Sequence, residues 1–169
     1  MVENPLLSIG PPWIFAADLD SNRFGKMADQ LIVSGGKKIE LEGARMTTLD
    51  ALFDEFAQAA MLPDYFGRNW PALDECLADL EWLPASSYVM TLRNPARLLK
   101  SALRDRPVFI KIVTKVAAEW AEPVSVGEYW DRPAIPLHLV VDRACGADHG
   151  WRECASTPDA SWLGTMRSI

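Results

Sequence analysis

Long apolar runs are missing from this sequence. No stretch approaches the ~18–20 residues that a membrane span needs, and the 49% apolar and 24% charged fractions are those of an ordinary globular chain. Cysteine is scarce: Cys76, Cys145 and Cys154 are odd in number and too few for a disulfide framework. A basic leader is missing too. MVENPLLSIGPPWIF carries Pro5, Pro11 and Pro12 and no lysine or arginine, which is unlike a secretory signal. Together these absences place the protein in a reducing cytoplasm, away from membranes.

Histidine is also rare, and the shortage bears on catalysis and metal binding. His138 lies inside an apolar run, where a structural role is expected. His149 stands between Cys145 and Cys154 in CGADHGWREC, a spacing that fits no common zinc site and lacks a fourth ligand. DLDSNRF offers Asp18, Asp20 and Asn22 in the rhythm of a calcium loop, but Arg23 occupies the position that needs glycine. No nucleophile with an adjacent base and no glycosidase-like carboxylate pair stands out. The sequence implies no metal, no cofactor and no enzyme.

What the chain does have is polarised charge. The net charge is −6. Residues 54–81 hold seven acids (Asp54, Glu55, Asp64, Asp74, Glu75, Asp79, Glu81) against Arg68 alone. Residues 93–115 reverse this, with seven bases against Asp105. Those bases fall between core-type positions, as on a solvated helix face, and the whole protein is acidic. Nucleic acid is therefore not an expected partner. Charge segregated in this way speaks to association.

At 169 residues the chain is long enough for one domain with extensions. Residues 1–36 are irregular, with one apolar stretch, Trp13 to Leu19, that fits a strand or a short helix. KIELEG alternates Ile39 and Leu41 with Glu40 and Glu42 and turns at Gly43, the pattern of a half-buried strand. Thr47 or Thr48 then caps a helix whose inner face is Leu49, Leu52, Phe53 and Phe56. Asn69 caps a second helix with Pro71 in its first turn and Leu73, Cys76, Leu77 and Leu80 inward. Ser87 to Leu92 reads as a strand. A helix is expected from Asn94 or Pro95 to about Asp105, with Leu98, Leu99, Ala102 and Leu103 inward. Another starts at Pro107, and a loop spans 122–135. Pro136 to Asp142 reads as a strand covered on both faces. Residues 143–169 are rich in small and polar types and are expected to be loosely held. Strands separated by helices imply a small parallel sheet of three strands.

The stretch LPDYFGRNWPALDECL, residues 62–77, raises the functional question. The helix macrodipole favours Asp74 and Glu75 near a helix start. It gives no reason for Asp79 and Glu81, or for Tyr65, Phe66 and Trp70 gathered in the preceding turn. Glu75 and Asp79, four residues apart, repel each other along the helix. Aromatics beside uncompensated acids suit a protein-binding surface.

That stretch also resembles the signature of the barstar family of bacterial ribonuclease inhibitors. The resemblance runs from about Lys37 to Asp142, with residues 1–36 and 143–169 as extensions. It implies a barstar-like α/β fold, a small three-stranded parallel sheet packed with helices. It further implies a partner-binding surface formed by Tyr65, Phe66, Gly67, Asn69, Trp70, Asp74, Glu75 and Asp79, with Glu75 at the family's central acid. The departures are Pro71 and Lys115 at positions where the family carries acids, and Asp74 where barstar itself has an aromatic. The implied function is that of an immunity protein, monomeric when free, masking the active site of a cognate ribonuclease or related basic toxin. The alternative is a binding adaptor of the same fold for another basic protein, without inhibition.

Overall fold

A computed structural model describes residues 3–143 and 167–169. The elements in order are β1 (Ile14–Ala17), α1 (Asn22–Val33), β2 (Lys37–Glu42), α2 (Leu49–Ala59), α3 (Trp70–Asp79), β3 (Tyr88–Arg93), α4 (Arg106–Trp120), β4 (Leu137–Asp142) and β5 (Arg167–Ser168). All strand pairings are parallel and the sheet order is β2-β3-β4-β1-β5. The α/β class and parallel sheet are as expected from sequence, but among the described residues the sheet has five strands rather than three. The two additional strands are short. Four residues of β1 pair with β4 (Ile14 opposite Leu139), and β5 pairs with β1 (Phe15 opposite Arg167).

Period-two alternation assigns each strand residue to one of two cores. Tyr88, Met90 and Leu92 of β3, with Leu137, Leu139 and Val141 of β4, face the larger core under α2, α3 and α4. Val89, Val140, Phe15 and Ala17 face the other way, onto Phe24, Met27, Ala28 and Leu31 of α1. β4 lies between β3 and β1 and is buried at every residue, which is why its sequence shows no polar face.

Two expectations are corrected. The helix expected over 94–105 is replaced by two short 3-10 turns, Pro95–Arg97 and Leu103–Asp105. Between them the Leu99 and Ser101 amides donate to the carbonyls of Met46 and Thr47, at 2.7 and 2.9 Å. Those amides are thereby withdrawn from any helical ladder, and Leu99 takes a left-handed φ of 50°. Leu98 and Leu99 are still fully buried, so their helical spacing reflected burial and not helix, while Leu103 is exposed. The second correction concerns only the last three residues of the 143–169 stretch, since 144–166 lie outside the described residues. Ile169 donates its amide to Ala16 and packs on the α1 core, so residues 167–169 are held by the sheet.

His138, on the α1 side of β4, is fully buried, 5.2 Å from the Phe15 ring. Its Nδ1 lies 3.1 Å from the Pro12 carbonyl oxygen and its Nε2 2.9 Å from that of Ser8. A neutral ring donates to only one of them. Burial pushes the pKa below the ordinary 6.5 and outweighs the two carbonyls, which pull it upward. The unfolded chain therefore binds a proton first as pH falls. The histidine's contribution is complete above about pH 6.5 and is lost on acidification through the window below it, by at most about 1.4 kcal/mol per pH unit. Urea unfolding at pH 7.5 and 5.5 should show this loss, and His138→Gln should flatten it. A wild-type midpoint that does not move would contradict a buried neutral ring.

Candidate functional site

The loop between α2 and α3 is built around Asn69. Its Oδ1 accepts from the Ala72 amide at 2.9 Å, capping α3, while its Nδ2 donates to the Gly67 carbonyl at 3.0 Å. One side chain thus fixes the turn to the helix. Gly67 is suited to this turn, because a Cβ there would lie 3.1 Å from Asn69 Nδ2 and 3.4 Å from Ala72 Cβ.

The three aromatics separate by environment. Phe66 is buried, edge-on to Phe53 at 6.0 Å. Trp70 is half-buried against the same ring at 5.3 Å, with Nε1 3.4 Å from Asp105. Tyr65 stands out in solvent at 71% exposure. Leu73, Cys76 and Leu77 turn α3's inner face to the core, and the helix ends where Leu80 takes a left-handed φ of 46°.

The acids separate in the same way. Asp54 is bonded to Arg68. Glu55 is buried, bound to Arg45 and to the Glu42 amide, and the guanidinium holds its carboxyl below the usual range. Asp74 accepts from Lys115 at 2.7 Å, and Lys115 also pairs with Glu119 one turn along α4 at 3.1 Å. These carboxylates raise the lysine pKa, Asp74 more than Glu119. Among the described residues, no group hydrogen-bonds or ion-pairs with the carboxylate of Glu75 or Asp79, both exposed on α3. They flank a cavity of about 170 Å³ lined also by Tyr65, Phe66, Gly67, Ala72 and Cys76. Burial, then Asp79 and Glu75, push the Cys76 thiol up, marking the negative potential there. The Tyr65 phenol is raised as well, by partial desolvation and then by Cys76, Asp79 and Glu81.

The structure thus brings Tyr65, Gly67, Glu75 and Asp79 to one concave, anionic surface. Phe66 forms part of its floor, Asn69 is exposed in the turn that caps the helix, Trp70 is half-buried against Phe53, and Asp74 is turned toward α4. The Asp74–Lys115–Glu119 chain joins positions 41 residues apart. Only its Lys115–Glu119 half, spaced four apart on one helix, has a sequence signal.

No three histidine, cysteine or acidic side chains group as a metal site among the described residues. Ser21 caps α1, Asn22 opens it and Asp20 pairs with Arg93, so DLDSNRF forms a helix start. Cys145, His149 and Cys154 lie outside the described residues. No described helix is long and apolar enough to cross a membrane.

No curated protein matches the chain. The family model described as Barstar (barnase inhibitor) matches residues 36–141, which contain the sheet from β2 to β4, the Asn69-pinned loop and the anionic face of α3. A match over that much of the chain, centred on this surface, makes the protein a member of the barstar family.

Proposed function

We propose that the protein is a cytoplasmic inhibitor of a cognate ribonuclease or related basic toxin, and that it works by masking the toxin's active site. The observation that carries this reading is the selective pairing of acids. Asp54, Glu55 and Asp74 are neutralised within the chain, whereas Glu75 and Asp79 stand uncompensated beside an exposed tyrosine and a cavity. Two like charges four residues apart weaken their own helix. A cationic partner relieves that repulsion, and a ribonuclease that holds RNA phosphates presents such a cationic pocket. Carboxylates seated there take the place of the phosphates. In this reading the chain performs no catalysis. Asn69, Phe66 and Trp70 fix the loop, while Tyr65, Glu75 and Asp79 make the contact.

The test is recovery and inhibition. Immobilised protein should retain a basic protein from the cells that express it. One equivalent of the inhibitor should then abolish the RNA-cleaving activity of that partner. A stoichiometric complex in which the partner keeps its activity would instead establish a binding adaptor.

A further inference from the structure

The segment between α4 and β4 holds an aromatic tip on a braced hairpin. Val124 and Arg132 exchange two backbone hydrogen bonds of 2.9 and 3.0 Å. Across the turn Asp131 accepts from the amides of Val126 and Gly127, at 2.9 and 2.8 Å, and Gly127 supplies the left-handed φ of 85°. Those bonds, the Val126 amide first, hold the Asp131 carboxyl below the usual range. At the tip Tyr129 and Trp130 meet edge to face at 4.7 Å, yet they are 92% and 53% exposed, with Val126 at 67%.

The base of the hairpin is tied to the α3–α4 unit. The Arg132 guanidinium lies 4.1 Å above the Trp120 ring and donates to the carbonyls of Glu119, Trp120 and Glu122. The Trp120 indole in turn donates to the Leu77 carbonyl in α3 at 2.8 Å. Glu119 belongs to both sides, with its carboxylate on Lys115 and its carbonyl on Arg132.

From these contacts we infer that the Tyr129–Trp130 hairpin is a second contact element for the same basic protein that the α3 surface takes, an inference that rests on the proposed function. Two observations select this occupant. The first is continuity, because the hairpin is braced through Trp120 on the helix that carries Glu75. The second is charge. Glu122 and Glu128 are exposed at the base and the tip of the hairpin, Asp131 adds a carboxylate bound to the turn amides, and the hairpin's cationic side chain, Arg132, is turned inward. Acid-rimmed aromatic faces attract arginine and lysine side chains. The geometry is preformed, so two large rings are presented with little ordering left to do on binding.

The experiment uses the full chain and two purified probes, barnase and the basic protein retained by the immobilised inhibitor. Tyr129→Ala/Trp130→Ala should raise the dissociation constant about tenfold or more, through faster dissociation. The salt dependence of association and the melting temperature should stay at wild-type values, since both rings are exposed. Glu75→Ala runs in parallel. If Glu75→Ala weakens binding and the double variant does not, the hairpin inference is overturned and the α3 reading stands. If neither variant changes binding, or neither probe binds, the α3 reading falls and the hairpin inference with it. A wild-type dimer in sedimentation that the double variant abolishes would make a second copy of this chain the occupant, which also overturns the inference.

Discussion

Glu75→Ala should weaken binding of the basic partner by about two orders of magnitude or more, mainly through faster dissociation. The Glu75 carboxylate is exposed and has no hydrogen bond or ion pair among the described residues, so none of them compensates its charge. Docked in a cationic pocket it becomes a desolvated half of a charge pair. Truncating one half costs ~2–5 kcal/mol, because the opposite charge remains buried and unpaired. That magnitude is known from barnase–barstar itself, the family's reference pair, and is carried over to this chain. Asp79→Ala, at the rim of that contact, and Glu81→Ala, exposed beyond it, should mostly slow association and flatten its salt dependence. Asp74→Ala differs again, since it removes the 2.7 Å partner of Lys115 and leaves that cation paired with Glu119 alone, one anion fewer beside the contact surface. Binding kinetics at two ionic strengths, with melting curves as control, separate these cases. Wild-type affinity in Glu75→Ala would show that α3 is not the plug.

The elements that the sequence made legible are those where a period is long enough to count. Thr48 and Asn69 cap α2 and α3 as their side chains suggested, and the inward residues of both helices lie in the core. β4 reads as central because every residue is buried. Legibility fails where a period is short or a pairing is distant. β1 has four residues, too few to separate two-fold from 3.6-fold repetition, and β5 has two. Around Leu98 and Leu99 the apolar spacing of a helix is present, but the amides are bonded to the segment before α2. The aromatic turn has no period at all, so nothing in LPDYFGRNW tells that Tyr65 points outward while Phe66 points inward. The charge map is distorted for a similar reason. Much of the basic run at 93–115 is engaged within the fold. Arg93 pairs with Asp20, Arg106 donates to the carbonyls of Leu98 and Ala96, and Lys115 pairs with Asp74. The apparent dipole along the chain is therefore smaller on the surface than in the sequence.

Trp120→Ala should cost ~3–5 kcal/mol of folding stability, the range for removing a large buried aromatic. Against a typical total of ~5–15 kcal/mol this is a large fraction. Trp120 is 4% exposed and its ring lies 5.2 Å from that of Tyr88, the largest fully buried side chain. Truncation opens a void between α4, α3 and the sheet, orphans the Leu77 carbonyl and removes the ring under Arg132. Trp120→Phe keeps most of the packing and loses the indole donor, so its cost should be nearer ~1–3 kcal/mol, that of an unsatisfied buried acceptor. Denaturant titration reads both as a lower midpoint at unchanged slope. The same variant also tests the link between stability and recognition. Leu77 lies one residue from Cys76 and two from Glu75 and Asp79, so losing its anchor loosens the turn of α3 that carries the unpaired acids. Under conditions where Trp120→Ala remains folded, partner affinity should therefore fall although no contacting side chain has changed. Stability within ~1 kcal/mol of wild type would mean that the void collapses and that Trp120 is not the keystone between α3, α4 and the hairpin.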